Sequence, residues 1–312
     1  MTLAAKSPAP SHAGAQNQLR FGIMLYPDAS LLDLPQQARW LEELGFDQMY
    51  LPDHSADPFN RGGPWFDGWT VLPALAAATK RIRIGTLVSN PILRPPATLA
   101  RQALTVDHLS GGRLDLGIGA GVFEWDHHAV GEEPWTPKER AGRYADYVAI
   151  LDGMLSGTGE SFTHEGEWLQ ARDITTAPGT LQRPRPTLIT GGQSPTVLRV
   201  TAERADVWNT IGPMIDDGAE ILAATASQNR KLDEMLEQVG RDPQSLRRSY
   251  AVFGPFDIWE RNITLQEVVE RFGEIGMTEF VLGLPPADRM DEFEQLARET
   301  IPALRREWSD LA

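Results

Sequence analysis

A histidine that follows an aspartate is the clearest candidate for acid–base chemistry in this chain of 312 residues. Asp53 and His54 come directly after a short apolar run at 48–51, and a histidine can exchange a proton near neutral pH. His54 is therefore the predicted catalytic residue, and Asp53 could hold its ring or contact a ligand. The alternative is a histidine at the rim without a chemical role, since consecutive residues of an extended chain point in different directions.

A glycine-rich segment supplies a second candidate site, for an anion. Gly191, Gly192, Gln193 and Ser194 precede Pro195, at which a helix is predicted to begin. The two glycines let the backbone approach a ligand closely, and the serine can cap the helix while other amides stay free for a phosphate. The alternative is an ordinary helix cap that binds nothing.

Further glycines and several tryptophans also follow predicted strands. Gly117, Gly119 and Gly121 do not form a dinucleotide fingerprint, because Val122 stands where the third glycine of that motif is required. A flat, apolar ring system would suit the tryptophans near strand ends, although packing in the core explains at least half of them. These are Trp65, Trp69, Trp125, Trp135 and Trp208. Together the segments favour a planar cofactor that carries a phosphate.

The elements that must position these residues alternate between strand and helix along the chain. Strands are predicted at 21–26, 48–51, 82–88, 113–118, 187–190, 207–211, 248–253 and 280–284. Helices are predicted at 33–44, 69–78, 98–109, 138–155, 195–204, 219–239, 265–275 and 291–305, with Asp33 and Gly45 at the two ends of the first. Eight such pairs favour an α/β fold of the (β/α)8 TIM-barrel type, in which the candidate residues converge at the carboxyl ends of the strands. A doubly wound open sheet is the alternative.

The remaining segments set the domain organisation. Residues 1–18 are predicted to form a flexible tail, because their composition cannot bury enough apolar surface, and 19–312 to form a single domain. Two insertions interrupt the alternation: 122–135 follows the fourth strand, and 156–186 precedes the fifth, with a hairpin predicted at 162–169.

Composition excludes several classes of protein. The chain has no cysteine, which removes disulfides and thiolate chemistry and indicates a reducing, cytoplasmic setting. A net charge of −14 argues against nucleic acid as a partner, and no apolar stretch is long enough for a membrane span. Asp126, His127 and His128 could suggest a metal, but ligands from several strands would have to converge, so no metal is expected.

The chain resembles the bacterial luciferase-like superfamily of flavin- and deazaflavin-dependent oxidoreductases. The likeness runs from about residue 19 to residue 308 and depends on several motifs in order. These are LPDH at 51–54, RIRIGTLV at 81–88, LSGGRLDLGIGAG at 109–121, GG at 191–192 and TAERADVWN at 201–209. The segments GPW at 63–65 and 117–124 are most similar to the branch that uses coenzyme F420.

The resemblance implies a cofactor, FMN or coenzyme F420, at the barrel mouth. It places the phosphate near 191–194 and the ring against the third strand, and it implies a non-prolyl cis peptide bond at Leu87-Val88. The implied cofactor-binding residues are Asp53, Leu87, Val88, Ser89, Gly119, Gly121, Gly191, Gly192, Gln193, Ser194 and Trp208. Sugar-phosphate dehydrogenases of the family carry a glutamate where this chain has Val122, with Glu124 two residues later, which argues against a sugar phosphate as substrate.

The function that follows is hydride transfer between F420 and a small organic substrate, with His54 moving a proton. An FMN-dependent monooxygenase is the first alternative. A metal-dependent hydrolase on the same barrel and a noncatalytic flavin-binding protein are the others. A homodimer is common among such proteins, and the sequence leaves both the oligomeric state and the substrate open.

Overall fold

Strands and helices alternate along the computed structural model, which describes residues 18–28, 33–157 and 159–311. The strands in these residues are β1 Arg20–Met24, β2 Gln48–Leu51, β3 Arg83–Ser89, β4 Leu114–Ile118, β5 Ser161–Glu165, β6 Gln170–Thr175, β7 Thr187–Gly191, β8 Val207–Thr210, β9 Arg247–Ala251 and β10 Glu279–Gly283. The helices are α1 Leu34–Leu44, α2 Gly68–Ala78, α3 Pro96–Ser110, α4 Glu124–Ala129, α5 Pro137–Ser156, α6 Pro195–Arg204, α7 Gly218–Gln238, α8 Leu265–Gly273, α9 Met290–Gln295 and α10 Ile301–Leu311.

Eight parallel strands close into a barrel in the order β1-β10-β9-β8-β7-β4-β3-β2, while β5 and β6 form a separate antiparallel pair. Closure confirms the predicted (β/α)8 TIM barrel and rules out the open doubly wound sheet. Because all eight strands run the same way, their carboxyl ends meet at one rim, which we call the mouth.

The core lies in two layers, one outside and one inside the strands. Alternate strand residues such as Phe21 and Ile84 pack outward against the helices, in the large apolar cluster. A smaller cluster inside the barrel includes Tyr50, Ile189 and Val281. At the opposite end from the mouth, buried ion pairs fill the interior: Arg83 with Asp115 and Arg247 with Glu279. The interior of the barrel is therefore filled from the inner cluster to the end opposite the mouth.

Several predicted elements are wrong in detail. The side chain of Asp33 makes no capping hydrogen bond, although Gly45 has the expected left-handed conformation after α1. The hairpin of the second insertion pairs Ser161–Glu165 with Gln170–Thr175, so its return strand begins just after the predicted end at Leu169. The final helix is split by a π-helical turn at Leu296–Thr300, and the first insertion contains the short helix α4, which periodicity could not reveal.

The predicted tail falls almost entirely outside the described residues, because only Gln18 of residues 1–18 is described, and it is exposed. None of the helices in the described residues is both long and apolar enough to cross a membrane.

Candidate functional site

His54 lies at the mouth and is held by a carboxylate from the first insertion. Its Nδ1 is 3.0 Å from Oδ2 of Asp126, at the buried start of α4. Asp126 also accepts hydrogen bonds from the backbone and hydroxyl of Ser55, at 2.8 and 2.6 Å, and from Nδ2 of Asn90, at 2.8 Å. Four donors thus converge on one carboxylate.

This arrangement fixes the protonation of both partners. Burial alone would raise the pKa of Asp126, but hydrogen bonds from His54 and Ser55 outweigh it and hold that pKa below its ordinary value. An ionised carboxylate can only accept hydrogen bonds, so Nδ1 of His54 carries the proton. No described residue bonds Nε2, which is left for chemistry at the mouth.

Asp53 faces away from His54 and is buried in a different network. Its Oδ2 accepts a hydrogen bond from the backbone of Asn90 at 2.9 Å and pairs with Arg94, which also pairs with Asp67 at 2.7 Å. Burial raises the pKa of Asp53 in spite of Arg94. Asp53 therefore does not hold the ring of His54, and its role here is to anchor the chain that follows β3.

The Leu87-Val88 peptide bond is cis, as predicted, and the register of β3 against β4 shifts between Thr86 and Ser89. Glycines surround Val88. A methyl group added at Gly119 would lie 2.5 Å from Cγ2 of Val88, and one added at Gly191 would lie 2.9 Å from its Cγ1. Larger residues would displace this segment, so Gly119, Gly191 and Val88 pack closely together at the mouth, in a surface that we call the glycine floor.

The predicted anion site lies between the carboxyl end of β7 and the start of α6. Ser194 caps α6 by accepting from the backbone of Val197 at 3.3 Å, and Gly192 has a φ of +132°, which only glycine adopts readily. Gln193 is held by the carbonyl of Gly212, to which its Nε2 donates. In the first turn of this ten-residue helix Pro195 has no N–H, and the amide of Val197 is bonded to Ser194. The amide of Thr196 is therefore left for an anion at the mouth.

The structure places two predicted residues behind the site instead of in it. Trp208 points outward from β8, is fully buried, and donates from Nε1 to the carbonyl of Gly192 at 2.9 Å. The expected aromatic wall at Trp208 is therefore wrong, because the alternation of side chains along β8 turns it toward the helices. Ser89 is likewise buried, and its hydroxyl lies 2.6 Å from that of Thr86 and accepts from Trp69.

Aromatic side chains beside His54 come from the loops. The ring of Phe123 lies 5.1 Å from the ring of His54 and stacks on Trp125 at 4.1 Å. Trp65 donates from Nε1 to the carbonyl of His54 at 2.9 Å. Nε1 of Trp125 is buried without a hydrogen-bond partner among the described residues.

Sequence reasoning missed the residues that position His54. The sequence marks Asp126 only as part of a possible metal site with His127 and His128, and Asn90 only as a polar residue after the third strand. Asp126 is 72 residues from His54, and no local pattern could have paired them. No group of three or more potential metal ligands occurs within residues 18–28, 33–157 and 159–311.

Comparison with known proteins agrees with this geometry. The family described as luciferase-like monooxygenase matches residues 6–256. The chain belongs to this family. Among relatives of this luciferase-like protein, an F420-dependent glucose-6-phosphate dehydrogenase of Amycolatopsis mediterranei is 26% identical over 263 residues, covering 78% of this chain and 76% of that one.

Other similar proteins use either cofactor. An FMNH2-dependent dimethylsulfone monooxygenase of Pseudomonas putida is 31% identical over 149 residues, 47% of this chain and 40% of that one. The structure of an F420-dependent secondary alcohol dehydrogenase with an F420-acetone adduct superposes with a TM-score of 0.74 at 19% identity, covering 90% of this chain and 99% of that one. The luciferase-like protein thus has both F420- and FMN-dependent relatives.

Proposed function

We propose that this luciferase-like protein is an F420-dependent oxidoreductase that transfers a hydride between the cofactor and a small organic substrate. The observation that carries the proposal is the pairing of His54 with Asp126, which leaves Nε2 of His54 available beside the glycine floor. Hydride transfer to a carbonyl or imine carbon requires a proton donor beside the reacting atoms.

The residues present fit such a cofactor. Added side-chain atoms at Gly119 or Gly191 would press on Val88, so these glycines keep Val88 in place on the surface where a ring would lie. At the start of α6 the Ser194 cap takes the amide of Val197 and leaves that of Thr196 for a phosphate. F420, when bound, would supply or accept the hydride at its deazaflavin ring.

The roles of the protein's own residues follow from their contacts. His54 would move a proton at Nε2, while Asp126 holds the ring in one tautomer. Ser55 and Asn90 keep the carboxylate ionised and fixed. Gly119 and Gly191 would let the reacting faces approach closely, and the loops would exclude water.

FMN-dependent oxygenation is the second candidate. It is favoured by the family to which the chain belongs and by the similarity to the dimethylsulfone monooxygenase. The F420-dependent relative, however, matches a much larger share of this chain, 78% against 47%. That difference in coverage supports F420 as the first choice.

A kinetic comparison tests the proposal. The purified protein is mixed with reduced F420 and a panel of aldehydes and ketones without oxygen, and loss of reduced cofactor is followed by absorbance. We expect substrate-dependent oxidation of F420, reduced by about a hundredfold in His54→Ala while cofactor binding is retained. Turnover only with reduced FMN and oxygen would support the monooxygenase instead, and an unchanged rate in His54→Ala would remove its catalytic role.

A further inference from the structure

Rings that continue outward from His54 suggest what the substrate is. We propose that the site takes an uncharged substrate with a broad aromatic or apolar surface, which binds against Tyr26, Phe59 and Phe253. This inference rests on the proposed function, because it assigns a substrate class to the same mouth. We call these three side chains the aromatic rim.

The aromatic rim is assembled from three separate loops. Tyr26 follows β1, Phe59 follows β2, and Phe253 follows β9. The rings of Tyr26 and Phe59 meet edge to face with centroids 5.7 Å apart, and those of Phe59 and Phe253 are 6.3 Å apart. Both spacings fall in the range of favourable aromatic pairs, so the three loops present one continuous surface.

This surface is continuous with the catalytic residue. The ring of Tyr26 is 6.3 Å from that of Trp65, whose Nε1 donates to the carbonyl of His54. Trp65 therefore links the aromatic rim to the backbone of His54, and Phe123 packs edge to face with the ring of His54.

Phe59 and Phe253 of the aromatic rim are exposed to solvent, and a bound ligand would cover them. Phe59 is 65% exposed and Phe253 is 41% exposed. Other exposed apolar side chains, Val122, Met214 and Ile215, also follow strands at the same end of the barrel. Clustered exposed apolar surface beside a reactive residue marks a binding site, since covering it removes that surface from water.

The charges around the aromatic rim disfavour an anion. Burial raises the pKa of Tyr26, and the carboxylates of Asp257 and Asp57 raise it further, so its hydroxyl stays neutral and can donate to a carbonyl oxygen. Arg94 is committed to Asp53 and Asp67, and Arg61 lies over the ring of Trp125 at 4.8 Å. A phosphate or carboxylate on the aromatic rim would meet negative charge first.

Two probes with the same ring system separate apolar from ionic recognition. N-phenylnaphthylamine is neutral, and anilinonaphthalene sulfonate carries one negative charge. Each is titrated into the full-length chain, without and with F420, and its fluorescence gain is measured. We expect the neutral probe to bind with a Kd about tenfold lower than that of the anionic probe.

Variants locate the binding surface. In Phe59→Ala/Phe253→Ala the Kd of the neutral probe should rise about tenfold, since truncating aromatic anchors typically costs this much. Leu109→Ala removes a side chain that is 56% exposed near the end of α3, at the other end of the barrel, and should leave the Kd unchanged. Equal or tighter binding of the anionic probe, or wild-type Kd values in the double variant, would overturn the proposal.

The same titration distinguishes failure of this inference from failure of the proposed function. Probe binding through the aromatic rim in a protein that takes up neither F420 nor FMN would reject the proposed function alone. Tight cofactor binding together with an unaffected double variant would reject the substrate class alone.

Discussion

Asp126→Asn tests whether the buried carboxylate positions His54. The carboxylate accepts from three residues, through Oδ2 from His54 and Asn90 and through Oδ1 twice from Ser55. The side-chain amide introduced by Asp126→Asn would have one acceptor oxygen and one donor nitrogen. That nitrogen must replace Oδ1 or Oδ2, so it faces the donors of Ser55 or those of His54 and Asn90. The conflict between the donors of the amide and of His54 is removed if the proton of His54 moves from Nδ1 to Nε2. This tautomer is the opposite of the one that the proposed chemistry uses.

The magnitude follows from those lost bonds. Hydrogen bonds to a charged group contribute about 1.5 to 3 kcal/mol each, so Asp126→Asn should lower the free energy of unfolding by about 2 to 4 kcal/mol. The kcat/KM should fall about a hundredfold, because the histidine loses both its orientation and its tautomer. Urea unfolding and steady-state kinetics measure the two quantities, and nitrogen NMR of His54 reports the tautomer directly.

A second, partly buried pair of His164 and Asp146 provides a control for Asp126→Asn. Asp146 lies 2.9 Å from Nε2 of His164 and accepts from the backbone of Trp168 and Leu169, so it ties the β5–β6 hairpin to α5. Asp146→Asn should destabilise the protein without changing kcat/KM. The double variant His54→Ala/Asp126→Asn should be no slower than His54→Ala alone. A rate within about twofold of wild type in Asp126→Asn, or additive losses in the double variant, would refute the positioning role.

Three further predictions use neighbouring features. Gly119→Ala should weaken F420 and FMN binding at least about tenfold by equilibrium titration, whereas Gly62→Ala, which meets nothing within 4 Å, should not. Ser194→Ala and Thr136→Ala each remove a cap of 3.3 Å and should each cost about 1 kcal/mol in urea unfolding, but only the first should weaken phosphate-bearing ligands. Partial burial would raise the pKa of Asp146, but hydrogen bonds from His164, Trp168 and Leu169 hold it below the ordinary value of 3.8. The ionised carboxylate therefore stabilises the folded protein fully above that pH, and this contribution is lost as the pH falls through the lowered pKa of the folded state. Asp146→Asn should show a shallower acid unfolding transition.

Each of these has a contrary outcome. Unimpaired cofactor binding in Gly119→Ala would mean that the ring does not lie on the glycine floor. Equal affinities for inorganic phosphate in the two cap variants would place the anion elsewhere than α6. An acid transition of unchanged steepness in Asp146→Asn would assign the acid sensitivity to other carboxyl groups.

Local signals predicted the barrel, and the family resemblance predicted the cis bond at Leu87-Val88. Apolar runs between predicted helices indicated the alternation of strands and helices, and the glycines and Ser194 before Pro195 indicated the start of α6. Trp208 was misplaced because its neighbours in the chain reveal that it follows a strand, but not which face of that strand it occupies. Only the closed barrel settles that question.

The positioning of His54 lay beyond sequence reasoning for a different reason. Asp126 reaches His54 from the insertion after β4, across 72 residues, and Asn90 at the end of β3 donates to that carboxylate across 36 residues. Such contacts are set by how loops fold back over the mouth. No helical or strand period records them, so chemical residue types could be identified while their partners could not.

The central claim is that the mouth binds a deazaflavin or flavin ring on the glycine floor beside His54. The most direct measurement is an equilibrium titration of the wild-type chain with F420 and, separately, with FMN, followed by visible absorbance and cofactor fluorescence. The predicted result is saturable binding at one site per chain, tighter for F420 than for FMN. Saturation by neither cofactor would contradict the claim.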